Sequence, residues 1–325
     1  MLVSISDVED MMRWTPADIP NLSGRFAVVT GANGGLGLET ARELARAGAQ
    51  VVMAARNQEK AESARQHIGE EVPQARLEVV PLDLGSLASV REAAATIGAA
   101  HPRIDILVNN AGVMAVPEGR TADGFEIQLG TNHLGHFALT ALLMPSLTRA
   151  DAARVVSVTS TARHIGRPVD PANPHLIDRY TPWGAYGQSK LANLYFALEL
   201  HRRLQKAGSP VSSLVAHPGL SNTDLQATSV RESGGLSQRF FENLARFTGM
   251  SPANGARPSL RAATDPKARS GQLYAPRFVN NGSAVRRPLM GRSLNRRAAE
   301  QLWEVSERET GIVFDAAATA PRSDD

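Results

Sequence analysis

Tyr186 and Lys190 lie four residues apart in AYGQSKLAN, residues 185–193, a stretch without proline. In a helix that spacing puts a phenol and an ammonium on one face. A tyrosine ordinarily titrates near ~10, about three units too high for acid–base work at neutral pH. A cation one helical turn away stabilises the phenolate and lowers that value. A three-unit shift requires roughly 4 kcal/mol of differential stabilisation, more than a partly solvated lysine supplies by itself. Alone, the pair is a frequent accident of surface helices. Here two further groups accompany it. The apolar run RVVSVTS (154–160) ends in Thr159 and Ser160, and TNHLGH carries Asn132 in a largely apolar frame.

Such groups need a scaffold, and the chain alternates short apolar runs with longer helical patterns. FAVVT (26–30), QVVMAA (50–55), LEVVPL (77–82), IDILVNN (104–110), RVVSVTS (154–160) and VSSLVAH (211–217) are nearly continuous and rich in β-branched residues. Runs of that kind suit strands buried on both faces of a parallel sheet. Helices are predicted between them at about 35–47, 58–70, 86–100, 122–149, 183–207 and 252–263. Strand followed by helix, repeated, predicts an α/β fold: a single-domain, doubly wound parallel sheet of the Rossmann type, about seven strands flanked by helices. Ligands of such sheets bind at the carboxyl ends of the strands, where the Ser160 hydroxyl is expected. No linker interrupts the pattern. One domain is expected over 24–315 after an N-terminal extension, 1–23, with a mobile Gly/Ser-rich lid at about 219–251 and a disordered tail at 316–325.

TGANGGLG (30–37) follows the first strand directly and opens a helix. Gly31 permits the tight turn, Gly35 lets backbone approach a pyrophosphate, and Gly37 lets the helix pack closely. Free N–H groups and the helix dipole attract the anion. The second strand should then select the dinucleotide, because a carboxylate at its end binds a ribose 2′-hydroxyl whereas an arginine suits a 2′-phosphate. The residues there are Ala54, Ala55, Arg56 and Asn57, with no carboxylate. NADP(H) is favoured over NAD(H), with Arg56 as the planar donor fork. The positive ring of an oxidised nicotinamide beside Tyr186 would also help to lower its pKa.

Composition narrows the alternatives. The chain has 325 residues, 42% hydrophobic and 21% charged, which suits a globular domain. It contains no cysteine, so disulfides, thiolate metal sites and a thiol nucleophile are excluded. The N-terminus carries acids at 7, 9, 10 and 18 and lacks a signal peptide's basic start. No run of about eighteen apolar residues occurs, so no spanning membrane segment is expected and a cytoplasmic location is. Net charge is +3, concentrated only in RRPLMGRSLNRR (286–297), five arginines in twelve residues. That cluster suits a phosphate, a membrane surface, nucleic acid or plain solvent. No aromatic residues interleave the arginines, which argues against a nucleic-acid partner. His133 and His136 have metal-like spacing but no nearby carboxylate, and are expected to pack and hydrogen-bond around Asn132.

Taken together, TGxxxGxG at 30–37, Asp83, NNAG at 109–112, Asn132, Ser160, Tyr186-x-x-x-Lys190 and Pro218-Gly219 resemble, in order, the short-chain dehydrogenase/reductase superfamily over about residues 24–315. TNHLGHF, the 26-residue step from Ser160 to Tyr186 and LWEVSERETG are similar to its retinol-dehydrogenase-like branch. That step is longer than usual and makes 161–181 an extra loop over the site.

The resemblance implies a role for each matching position. Tyr186 exchanges a proton with the substrate hydroxyl, Ser160 hydrogen-bonds the carbonyl oxygen, and Lys190 holds the nicotinamide ribose and depresses the tyrosine pKa. Asn132 holds a water for proton relay. Asp83 binds the adenine amine and Asn109 lines the cofactor groove. Asn33, Leu36, Leu84, Ala111 and Gly112 complete that groove, and Pro218, Gly219, Leu220 and Thr223 reach the nicotinamide amide. The implied activity is hydride transfer between NADP(H) and a small apolar alcohol or carbonyl substrate. The implied assembly is a homodimer or homotetramer through the helices bearing Asn132 and Tyr186. A catalytically idle dinucleotide-binding sensor is the alternative from another class. Reduction of a carbon–carbon double bond is disfavoured by the absence of cysteine.

Overall fold

The structure, a computed structural model, describes residues 14–219, 250–279 and 281–316. The predicted lid falls almost wholly outside them, as do Leu220 and Thr223. One eight-stranded sheet has the order β3-β2-β1-β4-β5-β6-β7-β8. Its strands are β1 (Phe26–Thr30), β2 (Gln50–Ala55), β3 (Arg76–Pro81), β4 (Ile106–Asn109), β5 (Arg154–Val158), β6 (Ser212–Ala216), β7 (Leu273–Pro276) and β8 (Ala284–Arg287). Each of the six apolar runs marks a strand; the first two match at both ends, and β3 begins one residue before its run. All pairings are parallel except β7 with β8.

The antiparallel β7–β8 pair adds an edge strand to the expected parallel sheet of about seven. LYAP and AVRR are four-residue strands without a β-branched run, so their pattern is too short to read.

Helices α1 (Gly35–Arg46) and α2 (Gln58–Glu71) cover one face together with α6 (Pro252–Thr264). The other face carries α3 (Leu87–Ala100), α4 (Gly135–Thr148) and α5 (Pro182–Lys206). Side-chain caps start them where the sequence punctuates: Asn57 accepts from the Lys60 N–H, Ser86 from Ser89, and Thr181, ahead of Pro182, from Gly184.

The predicted helix 122–149 begins later, at Ile127. Residues 120–126 instead close a tight turn, with an Arg120–Glu126 bridge and Gly124 at φ 85°. Asp123, in that turn, accepts from the Leu87 N–H at the start of α3 (2.8 Å). A π turn, Gly130–Leu134, then leads into α4.

A final helix, α7 (Arg296–Thr310), packs on α5. Trp303, Phe137, Phe196 and Phe314 form its aromatic seam, with Phe137 and Trp303 ring centroids 5.2 Å apart. α7 thus covers one flank of α5, the helix that bears Tyr186. At the other end of the chain, Trp14 and Leu22 join the core, so packing begins before residue 24.

Candidate active site

The sheet order reverses between β1 and its neighbours β2 and β4, which opens a crevice at their carboxyl ends. A cleft of about 440 Å³ occupies it. Gly31, Asn33, Gly35 and Leu36 form one wall. Gly31 has φ +67°, a conformation that side chains other than hydrogen rarely adopt. Gly37 does not line the cleft. It sits so close to β1 that an added Cβ would lie 2.2 Å from the Gly31 carbonyl oxygen, which is the helix-to-strand contact expected of it. The cradle of backbone at the start of α1 fits a dinucleotide pyrophosphate.

Arg56, Asn57 and Lys60 line the same cleft at the end of β2. Arg56 and Lys60 are exposed, and Lys60 went unremarked in the sequence although it falls in the first turn of α2. Asp83 and Leu84 line it beyond β3. The Asp83 carboxylate also accepts from the Gly85 N–H (2.9 Å), while Ser86, not Asp83, caps α3.

Asn109 departs from expectation. It is the last residue of β4, 2% exposed, and turned into the core, where it donates to the Thr140 hydroxyl (3.0 Å). Its neighbour Asn110 lines the cleft instead, because successive side chains of a strand point to opposite faces. Asn110 donates to the Thr30 carbonyl (2.9 Å), and the Asn110 and Ala111 N–H groups both donate to the Thr30 hydroxyl (2.9 and 3.0 Å).

That hydroxyl lies 2.9 Å from His136 Nε2, and His136 Nδ1 lies 2.9 Å from the Asn132 carbonyl. A carbonyl only accepts, so Nδ1 carries the proton and Nε2 accepts from Thr30. Burial holds His136 neutral, its pKa lowered to about 4. His133 reaches Ser306 on α7 (2.7 Å) and is lowered to about 3 by burial. Both histidines thus pack and hydrogen-bond, and among the described residues no cluster of possible metal ligands exists.

Ser160, Tyr186 and Lys190 line the cleft together with Ala111, Gly112, Pro218 and Gly219. The end of β5 is knitted to α5. Thr159 donates its hydroxyl to the Lys190 carbonyl (2.6 Å), and Lys190 Nζ and Asn193 donate to the Val158 carbonyl (3.4 and 3.0 Å). These bonds set Ser160 opposite Tyr186. Lys190 Nζ is 5.7 Å from the Tyr186 ring centroid.

Burial dominates both titrations. It pushes Tyr186 up to about 12, against a lowering hydrogen bond from Ser160, and Lys190 down to about 8. The spacing predicts a phenol lowered by the ammonium; loss of water raises it instead.

Asn132, in the π turn, is fully buried and lies behind the cleft. Its side chain accepts from the Val113 N–H (2.7 Å) and donates to the Val113 carbonyl and the Ser189 hydroxyl (both 2.9 Å). Only Gly112 separates it from the lysine, since a Cβ there would lie 2.8 Å from Asn132 Oδ1 and 3.4 Å from Lys190 Nζ. The extra loop is a strap. Tyr180 donates to the Val116 carbonyl (2.7 Å), and Gln188 and Arg308 donate to the Pro174 and Pro171 carbonyls (3.0 and 3.1 Å).

Comparison with known proteins agrees with this geometry. The short chain dehydrogenase family pattern matches residues 25–234. The chain is 39% identical over 300 residues to mouse polyprenol dehydrogenase, covering 91% of this chain and 87% of that one. It is 40% identical over 293 residues to human retinol dehydrogenase 12, covering 90% and 88%. A crystal structure of an uncharacterised protein from Mycobacterium paratuberculosis superposes with a TM-score of 0.78 at 43% identity, covering 94% of this chain and all of that one. A short chain dehydrogenase from Shigella flexneri, complexed with NADP, superposes with a TM-score of 0.61 at 25% identity, covering 78% and 97%. With a dinucleotide cradle and a serine, tyrosine and lysine sharing one cleft, the chain belongs to the short chain dehydrogenase family, in its retinol-dehydrogenase-like branch, and is an NAD(P)-dependent oxidoreductase of alcohol and carbonyl groups.

Proposed function

We propose that the protein is an NADP(H)-preferring oxidoreductase that interconverts an alcohol and a carbonyl on an apolar small molecule. The observation that carries this reading is that Ser160, Tyr186 and Lys190 share one cleft with the glycine cradle and with Arg56. A bound nicotinamide supplies or accepts the hydride. The chain's own residues manage the proton. Tyr186, held protonated at neutral pH, donates to the carbonyl oxygen as negative charge develops there, and the Ser160 hydroxyl gives that oxygen a second hydrogen bond. Lys190 stabilises the tyrosinate left behind and steadies the ribose. Asn132 braces the Val113 backbone along the cleft.

Cofactor preference is supported by Arg56 and Lys60 at the end of β2, and by the Shigella relative complexed with NADP. Apolarity is supported by Val113, Met114 and Val116 on the cleft wall and by the polyprenol and retinol relatives. The test is titration with NADPH and NADH by nicotinamide fluorescence, then turnover of long-chain and cyclic aldehydes and ketones by the wild type and by Tyr186→Phe. Turnover that disappears in the variant while NADPH still binds is the expected result. Turnover of every substrate surviving in Tyr186→Phe would overturn the assignment of the proton donor.

A further inference from the structure

We propose that a cationic face formed by residues 160–169 and 281–299 docks the protein on an anionic lipid surface. The two segments are far apart in the chain and are joined by Arg292. Its guanidinium donates to the carbonyls of His164 (3.2 Å) and Gly166, and its own carbonyl accepts from the Tyr195 hydroxyl (2.9 Å). Neither segment contains an acid, and together they hold seven arginines, against a net charge of +3 for the whole chain. Arg167, Arg286, Arg292, Arg296 and Arg297 are exposed. Glu300, just beyond the second segment, engages Arg296 (2.7 Å). His164 is held below its ordinary pKa by burial first and then by Arg163 and Arg292.

The same face exposes apolar side chains. Ile165, between the two carbonyls that Arg292 binds, is 62% exposed, and Met290 and Leu294, two residues to either side of Arg292, are 71% and 62% exposed. Large aliphatic groups interspersed with arginines suit an interface of headgroups and acyl chains, where the cations meet lipid phosphates and the aliphatics lie beneath them. A nucleic acid would leave Ile165, Met290 and Leu294 in water, and neither segment carries a phenylalanine, tyrosine or tryptophan ring interleaved with its arginines. A second copy meeting this face symmetrically would set arginine against arginine. The face also adjoins the catalytic end of the cleft, since the Gly166 backbone lies against Gly187, the residue after Tyr186.

Arg167, Met290, Leu294 and Arg297 of this surface do not line the cleft, and its test requires no turnover. The full chain is floated with vesicles of phosphatidylcholine alone and with vesicles that also contain phosphatidylserine. Binding is expected only to the second, and should fall as salt is added. Arg167→Glu with Arg297→Glu should lower partitioning about tenfold or more, and Met290→Ser with Leu294→Ser by about threefold or more, both with Tm and NADPH affinity unchanged. Three results would each overturn the proposal: no binding to the anionic vesicles, equal binding to phosphatidylcholine alone, or undiminished binding by the charge-reversed variant. A preference for an RNA homopolymer or an acidic polypeptide at the same ionic strength would overturn it too.

Discussion

At the scale of single residues, the cleft separates groups that act from groups that hold. Tyr186 and Lys190 are both cut off from water, and burial moves them in opposite directions, to about 12 and about 8. A lysine that titrates near 8 is only partly charged just above neutrality, so support for a tyrosinate weakens as pH rises through that value. Turnover in the oxidative direction, which needs that tyrosinate, should therefore depend on a group near 8 that vanishes from the profile in Lys190→Met. A wild-type profile flat through that region would show that the lysine keeps its charge in the working enzyme. At the other end of the cleft, Arg56 is exposed and lines the wall, and residues 54–57 at the end of β2 include no carboxylate. Arg56→Asp should raise the NADP KM by one to two orders of magnitude, about 1.4 to 2.7 kcal/mol, with NADH use little changed. An unchanged KM would remove Arg56 from the site.

At the scale of elements, the site depends on how the segments flanking the cleft are tied down. The π turn Gly130–Leu134 presents the Asn132 side chain to Val113 and its carbonyl to His136, and His136 ties that turn to β1 through Thr30. His133 and His136 in this segment, and His217 just after β6, are buried histidines. His133 and His217 are lowered to about 3 and His136 to about 4, with burial as the first cause in each. In the unfolded chain they titrate near 6.5, so below that value the unfolded state binds more protons than the native one. Stability should therefore be lost as pH falls through 6.5 and continue to fall towards 4. The loss should reach about 2 kcal/mol per histidine by about pH 5. Urea denaturation at neutral and acid pH measures this. A constant midpoint across that window would mean that the histidines protonate without leaving their sites.

At the scale of the whole molecule, α7 closes a face that strands and helices of the sheet leave apolar. Trp303 is 2% exposed, stacks on Phe196 (centroids 5.9 Å apart) and lies beneath the Arg203 guanidinium (4.3 Å). Trp303→Ala should cost about 3–5 kcal/mol in denaturant unfolding. A loss below about 1 kcal/mol would mean that this seam does not hold the C-terminal helix. Because α7 packs on α5, that flank of the helix bearing Tyr186 is occupied from within the chain. The same C-terminal region supplies the hairpin β7–β8 and most of the arginine face.

By themselves, local patterns determined the parallel sheet, the glycine cradle, the position of Arg56, and the identity of Ser160, Tyr186 and Lys190. Each is encoded in a run of neighbours: β-branched residues for strands, glycines at a turn, two polar groups one helical turn apart. Tertiary structure decided the rest. Whether Asn109 or Asn110 faced the cleft depended on where β4 ended, and four-residue strands such as AVRR carry too little periodicity to be read. The Thr30–His136–Asn132 chain joins residues separated by 106 positions in its longest step. The pKa of Tyr186 followed from how much water the fold removed, and not from the distance to its lysine along the helix. The covering of α5 by α7 and the meeting of Arg292 with the 161–181 strap are contacts between distant segments, which no local spacing can specify.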